Sequence, residues 1–461
     1  MNGAYLLLRK AVDVRPNEVR ALLLACVFNF VILGSYYVVR PIRDDIAAAG
    51  GVENLSWMFT GTLVAMLLAN AAFSAIVARM PRRKFLPIAY RFFSANLIIF
   101  YFLMRALTPA QNVWVGYAFY VWVSVFNLFV LTLFWAFMTD VFDSEQAKRL
   151  FAFIAVGGEL GAIAGPIVTA SLVQRLGPAN LLLVTAALLE IAPWCVKWFP
   201  AAQASEQQPA DLSPPNRARA HAPDRRGVKD GHMHKHDSDP QPDKGAEQPI
   251  GGGIVTGIAH VFRSPYLLGI CAFMLLHSIT ATFVYFQQAD ITGHQFHDRA
   301  ARTAFFAQLD LAVNTLTVLV QLFVTGRFLK WFGVGLTLAF LPVLSLLGFL
   351  GMGFVPVLGL LAVFQVLRRA GNFAVTRPAR EVLFTVLRRE DKYKAKSFID
   401  TFVYRAGDQI GAWSYTLLTW LGLGLTGVSF VATPLVALWC ALSIWLGKKQ
   451  ATMAAAAAGQ S

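Results

Sequence analysis

The chain has 461 residues, 56% of them hydrophobic and only 14% charged, where soluble domains run nearer 45–50% and about 25%. The apolar excess is gathered into long uncharged runs, which excludes an ordinary soluble domain. The formal charge of +14 does not point to nucleic acid: the most polar stretch, 201–250, holds seven Lys/Arg against eight Asp/Glu, and the surplus cations sit at the ends of apolar runs.

Twelve apolar segments follow in chain order, at 21–39, 55–78, 85–106, 113–138, 150–173, 179–198, 266–289, 303–326, 334–355, 357–376, 397–421 and 425–446. About 20 apolar residues cross a hydrocarbon core of about 30 Å, so each predicts a membrane-spanning helix. The first is longer than the apolar region of a cleavable signal and ends in Tyr36-Tyr37-Val38-Val39-Arg40 rather than small residues, so it reads as retained. Cys26, Cys195, Cys271 and Cys440 fall in separate runs and imply no disulfide framework.

Every second connection is basic. Arg9, Lys10, Arg15 and Arg20 precede the first span, and Arg79, Arg82, Arg83 and Lys84 follow the second. Lys148 and Arg149 follow the fourth, Arg327 and Lys330 the eighth, a dense set from Arg377 to Lys396 the tenth, and Lys448 and Lys449 the last. The other connections are poor in cations except 40–54 (Arg40, Arg43) and 290–302 (Arg299, Arg302), where acids lie alongside. The positive-inside rule places both termini in the cytoplasm, and the inner membrane is the expected location.

Residues 201–250, rich in Pro, Gln, Asp, Lys and His, cannot bury enough apolar surface to fold and read as a disordered cytoplasmic linker. The expected organisation is a six-helix half over 1–200, that linker, a second half over 251–447 and a cytoplasmic tail over 448–461. The halves echo one another: Gly157-Gly158-Glu159-Leu160-Gly161-Ala162 and Gly407-Asp408-Gln409-Ile410-Gly411-Ala412 occupy the same depth in the fifth helix of each. This all-α membrane protein of about twelve helices in two six-helix halves resembles the major facilitator architecture. Gly157, Gly161 and Gly165 share one helix face, as do Gly407 and Gly411, and small residues so spaced let helices approach closely in lipid. The expectation is that they line the seam between the halves.

Ionisable residues inside spans are costly and face a cavity or a partner. Glu159 lies about 14 Å into the fifth span. Asp310 is about 10 Å from the end of the eighth, with Asn314 one turn on. Arg368 and Arg369 sit mid-way in the tenth. Being adjacent, they point about 100° apart, so one is expected to line the cavity and the other to pair or reach for the surface. Asp400, Arg405 and Asp408 step through the eleventh, and Arg405 can simply neutralise Asp408 three residues on. Several arginines around a cavity suit an anionic solute, because guanidinium forks match phosphate and carboxylate. Nearby carboxylates also suit proton coupling or gating. Arg91 can reach the cytoplasmic surface, and Glu190 has no evident partner.

No G-x-x-x-x-G-K-[ST] loop occurs, so no ATP-hydrolysing motor is encoded. Gly422 to Gly427 matches G-x-G-x-x-G by letter but lies between two spans with no strand before it, which rules out a dinucleotide site. His232, His234 and His236 alternate in the linker, where a solvated segment is the simpler reading than a metal site. No His–acid constellation of an enzyme is visible within the spans, and no cofactor or resident metal is expected.

An ordered set of segments resembles the nucleotide transporter (ATP/ADP antiporter) family of plastids and intracellular bacteria. It comprises Tyr36 to Asp44, Phe134-Trp135-Ala136-Phe137, Glu145-Gln146-Ala147-Lys148-Arg149, Arg377-Pro378-Ala379-Arg380-Glu381 and Lys394-Ala395-Lys396-Ser397-Phe398-Ile399-Asp400. The resemblance implies roles for Arg43, on a family lysine, for Arg380 and Glu381, on a Lys–Glu pair, and for Asp310, on an aspartate of the eighth span. The chain departs from the family in lacking an acid in the fourth span (Val121 to Asn127) and in the seventh, and in carrying Asp408 where the family has a lysine.

The expected function is therefore a secondary active transporter moving a small anionic solute, a nucleotide by ATP/ADP-type exchange, by alternating access. Arg40, Arg43, Arg368 or Arg369, and Arg380 would bind the anion. Glu159, Asp310, Asn314, Glu381, Lys396, Asp400, Arg405 and Asp408 would gate or couple, with protons as a further partner. The alternative is a proton-coupled major facilitator transporter for a drug, peptide or other metabolite; Gly161-Ala162-Ile163-Ala164-Gly165-Pro166 is similar to part of a fifth-helix motif of proton-coupled drug antiporters.

Overall fold

A long uncharged run in hydrocarbon can satisfy its backbone within one segment only as a helix. Among the described residues every regular element is helical. The computed structural model describes residues 13–77, 82–200, 264–387, 395–396 and 398–458. The predicted linker 201–250, with His232, His234 and His236, lies outside the described residues, as do Arg9, Lys10 and Arg79.

The helices are α1 (Val19–Gly50), α2 (Val52–Val77), α3 (Arg82–Ala106), α4 (Pro109–Val141), α5 (Ser144–Leu176), α6 (Pro178–Leu189), α7 (Ile191–Trp198), α8 (Pro265–Gln295), α9 (Arg299–Phe323), α10 (Thr325–Phe354), α11 (Leu358–Gly371), α12 (Arg377–Leu383), α13 (Tyr404–Trp420) and α14 (Leu425–Ala458). Two five-residue π turns, Asn372–Thr376 and Ile399–Val403, lead into α12 and α13. Among the described residues, 11 helical segments are long and apolar enough to cross a membrane. The predicted span at 397–421 is the exception: it forms as a π turn followed by the 17-residue α13, packed along α8.

Local chemistry sets the breaks. Thr108 with Gln111, and Asp143 with Gln146, form capping boxes that start α4 and α5. Gly177 takes φ 80°, a left-handed conformation that glycine adopts without strain, and Pro178 then opens α6.

Two helix boundaries differ from expectation. The first span does not end at Val39: α1 runs on to Gly50 and carries Arg40, Arg43, Asp44 and Asp45 inside the helix. These charges pair with one another and with later helices, so the helix continues without presenting them to lipid. The tenth span likewise continues through the π turn into α12, which brings Arg377 and Arg380 into the bundle rather than leaving them in a connecting loop.

The glycine faces do pack tightly, but not at the seam. A Cβ at Gly157 would lie 2.5 Å from the Cys26 carbonyl oxygen, and one at Gly165 2.6 Å from that of Gly34. Gly161 abuts the Phe30 carbonyl. In the second half, a Cβ at Gly407 would meet Ser278 at 2.6 Å and one at Gly411 would meet Thr282 at 2.9 Å. The stripes thus bind α1 to α5 and α8 to α13, equivalent contacts inside each half. Each stripe leaves a face on which the backbone of the neighbouring helix in the same half lies. Across the boundary between the halves, Asn314 of α9 donates to the Ala162 carbonyl of α5 at 2.6 Å, and Gly293 of α8 lies against α1, where a Cβ would stand 2.6 Å from the Ala48 carbonyl oxygen.

At the end where α1 and α8 finish, the halves are sealed together. Asp45 accepts hydrogen bonds from Arg299 Nε at 2.8 Å and Arg302 Nε at 2.6 Å. Beside it Ser56 of α2 donates to the Ala412 carbonyl of α13 at 2.9 Å, and Trp413 Nε1 donates to Thr60 at 3.1 Å. Between the halves lies a cavity that reaches toward the opposite end, where the exposed Arg377 and Asp400 form its rim.

Candidate functional site

The cavity has a volume of about 600 Å³ and is lined by Arg40, Arg43, Arg368, Arg369, Arg377, Arg380 and Arg405 against only two carboxylates, Asp400 and Asp408. Each arginine is placed by a helix that an apolar run had to form, so the charges converge because the spans do.

Arg40 and Arg43 lie one turn apart on α1. Arg43 Nη2 donates to Asp44 at 2.8 Å, and its guanidinium sits 5.2 Å from the centre of the Tyr120 ring. Asp44 also accepts from the Tyr285 hydroxyl of α8 at 2.9 Å, across the seam. Arg40 reaches Asp310 of α9 at 3.2 Å, and Arg369 of α11 reaches the same carboxylate at 2.8 Å. Asp310 is almost fully buried, 1% exposed, so it compensates both cations in a setting where an unpaired charge is costly.

Arg368 and Arg369 both line the cavity, against the expectation that only one would. Their long stems let guanidiniums that leave the helix in different directions reach one space. Among the described residues Arg368 has only neutral acceptors, the His277 carbonyl at 3.3 Å and Thr280 Oγ1 at 3.4 Å, and its buried Nε has no partner. Arg380 pairs with Asp400 at 3.4 Å and Arg405 with Asp408 at 3.3 Å. Asp408 also accepts from the Ser278 hydroxyl. Arg377 lies 4.7 Å from the centre of the Phe373 ring.

Other expected residues sit outside the lining. Lys396 and Glu381 pair with each other. Asn314 faces α5. Glu159 is half-buried on α5 and is not brought to the arginine cluster, a departure from the expected pairing. Its neighbours Gly158 and Gly161 face α1, which turns it away from the cavity. Arg91 and Glu190 find each other at 3.5 Å.

Sequence reasoning missed His277, which lines the cavity with its Nδ1 buried and without a partner among the described residues, and Tyr285. Both stand in an apolar run with no spacing signal. Asp44 and Asp45 were visible only as acids beside Arg40 and Arg43. Among the described residues no group of three His, Cys, Asp or Glu could hold a metal ion. What the arrangement can do is hold a solute bearing several negative charges: seven guanidiniums face four carboxylates, counting Asp44 and Asp310 behind the lining.

Residues 22–385 match the model of the Major Facilitator Superfamily. The chain is 21% identical to ADP,ATP carrier protein 1 of Chlamydia muridarum over 94% of this chain and 88% of that one. It is also 21% identical to the protein of the same name from Chlamydia trachomatis, with the same coverage. Among solved structures, a bacterial homologue of the iron transporter ferroportin in an inward-facing state aligns with a TM-score of 0.59 at 10% identity, over 94% of this chain and 100% of that one. A D-xylose–proton symporter aligns with a TM-score of 0.59 at 11% identity, over 94% and 97%.

Proposed function

The chain belongs to the Major Facilitator Superfamily and is a membrane transporter of that type, and on that premise we propose that it is a secondary active transporter of a small anionic solute, a nucleotide exchanged in the ATP/ADP manner, working by alternating access. The observation that carries this reading is the surplus of guanidiniums around one central cavity. Arginine forks bind phosphate and carboxylate oxygens in pairs, and a membrane interior retains such charges only where they have a use. The likeness to ADP,ATP carriers over nearly the whole chain supports the nucleotide.

In this reading the end sealed by Asp45, Arg299 and Arg302 faces away from the cytoplasm, and the rim at Arg377 and Asp400 faces into it. That orientation follows from the basic connections and places both termini in the cytoplasm of a bacterium. Arg40, Arg43, Arg368, Arg369 and Arg380 bind the anion. Asp310, Asp400 and Asp408 hold these cations when the solute is absent and release them as it arrives. The seal then opens while the rim closes, so the solute never meets an open path.

The test is uptake of radiolabelled ATP and ADP into vesicles containing the purified protein and preloaded with unlabelled nucleotide. Counter-exchange is expected, and its absence for every nucleotide from folded protein sinks the nucleotide reading. A second reading, a proton-coupled carrier of another metabolite, draws on Asp408, a cavity carboxylate with one arginine and one hydroxyl as partners. It requires flux driven by a pH gradient and lost in Asp408→Asn.

A further inference from the structure

The helix α2 has three working faces. At about 100° per residue, Ser56 and Thr60 share one, Phe59, Leu63 and Met66 a second, and Asn54, Met58, Ala65 and Ala69 a third. The first makes the seal: Ser56 donates to the Ala412 carbonyl of α13 at 2.9 Å, and Thr60 donates to Gln409 Oε1 at 3.0 Å. The second lines the central cavity. The third lines a separate groove of about 880 Å³ between α2 and α4, where α4 contributes Trp114, Ala118, Val121 and Val125. Trp57 borders both groove and seal, its ring 4.9 Å from that of Trp413.

This groove is unlike the cavity. Among the described residues no charged side chain lines it, so it offers an anion nothing. It is graded along its length. Asn54, Trp57, Trp114 and Tyr117 stand at the end where α2 and α4 start, and both tryptophans are exposed. Trp and Tyr favour the boundary between membrane and water, where an apolar ring also carries a polar tip. Ala65, Ala69 and Val125 lie deeper, and their small side chains leave the space open. From Asn54 to Ala69 is about 22 Å along the helix, and half a hydrocarbon core is about 15 Å. A slot of that length, polar at its mouth and apolar below, has the gradient of a lipid molecule.

Seal and groove lie on nearly opposite sides of α2. To part from α13, α2 must therefore move into the groove, turning about its contact with α4, where Val121 lies 3.4 Å from the place a Cβ would take on Gly61.

We propose that the groove binds one acyl chain of a phospholipid from the leaflet on the sealed side, and that a chain lodged there holds α2 against α13 and keeps the seal shut. The groove is wide only while the seal is closed, so the chain binds that state better, and a difference in affinity is what shifts an equilibrium between two states. The site is independent of what the cavity carries.

The experiment uses the full chain in vesicles of phosphatidylethanolamine and phosphatidylglycerol, doped with a phosphatidylethanolamine whose acyl terminus carries a diazirine. After illumination, mass spectrometry of the digest locates the label. Half-buried Ala65, Ala69 and Val125 are expected to carry several-fold more of it than Leu67 and Leu68, which lie at the same depth on α2 and are 64% and 67% exposed. Label that follows exposure, heaviest on Leu67 and Leu68, means ordinary bilayer contact only and overturns the site. The hold on the seal has its own readout. In a chain whose free cysteines are replaced by alanine and which carries Gln409→Cys, Ala65→Phe or the milder Ala65→Leu fills the groove. Either is expected to slow several-fold the labelling of the introduced thiol by an impermeant maleimide from the sealed side, while Leu68→Phe, on the exposed flank, leaves the rate unchanged. Equal rates in folded groove and flank variants overturn the hold on the seal. Photolabelling of the unsubstituted chain decides the site whether or not the variants fold.

Discussion

Arg40 on α1 and Asp310 on α9 stand 3.2 Å apart across the boundary between the halves. Arg369 approaches the same carboxylate at 2.8 Å, so one buried anion compensates a cation from each half. Removing one partner of a buried pair typically costs about 3–5 kcal/mol, because the remaining charge is left uncompensated. Asp310→Asn leaves Arg369 with no carboxylate among the described residues and Arg40 with only Asp44, at 3.8 Å. It is expected to lower the melting temperature in anion-free detergent, and added ATP or phosphate should recover more of that loss than it adds to the unsubstituted protein, because the ligand anion takes the place of the carboxylate. Equal anion-dependent shifts in the two proteins would show that Asp310 does not compete with the solute.

Arg368 and Arg369, which line the cavity, stood out in the sequence because a cation in an apolar run is conspicuous whatever it pairs with, whereas Arg380, read as part of a connection, was singled out only by the family resemblance. The same signal misled for Glu159, since an acid in a span reads alike whether it faces the cluster or the flank of a neighbouring helix. The glycine spacing announced a close helix crossing but not the partner: i, i+4 periodicity gives a face, and only the tertiary fold says that α1 lies on it. The contact of Asp45 with Arg299 and Arg302 was hidden for another reason. It joins the end of one span to the start of another that lies more than 250 residues later, and hydropathy carries no information about which ends meet.

Gly161 has the Phe30 carbonyl where a side chain would begin. Gly161→Ala must push α1 from α5, and overpacking of this kind costs typically 1–3 kcal/mol. Gly326→Ala, where a Cβ would meet nothing within 4 Å, is the control and should stay within about 0.5 kcal/mol. Thermal unfolding of both in one detergent checks the contrast; equal melting temperatures would mean the crossing is slack.

Glu18, just before α1, gives the Glu145–Arg149 segment a physical use. Its carboxylate accepts from Gln146 Nε2 at 3.1 Å, from Arg149 Nη2 at 3.0 Å and from the Arg15 backbone N–H at 2.9 Å. Burial pushes this carboxyl up, but the Arg15 N–H, Arg149 and Gln146 together outweigh it and hold it below its usual value of 4.5. A depressed carboxylate adds stability that is complete above the ordinary value and is lost as pH falls through the lower folded one. Between about pH 5 and pH 3 the melting temperature should therefore fall more steeply for the unsubstituted chain than for Glu18→Gln. Parallel curves would remove Glu18 from the acid response.

The seal at the far end makes a prediction about conformation rather than stability. Asp45 is fully buried and bonded to two guanidiniums from successive turns of α9. Those bonds exist only while that end is shut, so they bias the equilibrium between the two openings, and each 1.4 kcal/mol lost shifts the ratio about tenfold. Asp45→Asn keeps the shape and removes the charge. In a chain whose Cys26, Cys195, Cys271 and Cys440, all free thiols, are replaced by alanine, a cysteine introduced by Gln409→Cys reports access, because Gln409 lines the cavity and accepts from Thr60 beside the seal. A membrane-impermeant maleimide added on the sealed side should label it several-fold faster when Asp45→Asn is present. An unchanged rate would mean that Ser56, Thr60 and Trp413 alone keep that end shut, and that the Asp45 cluster serves folding instead of gating.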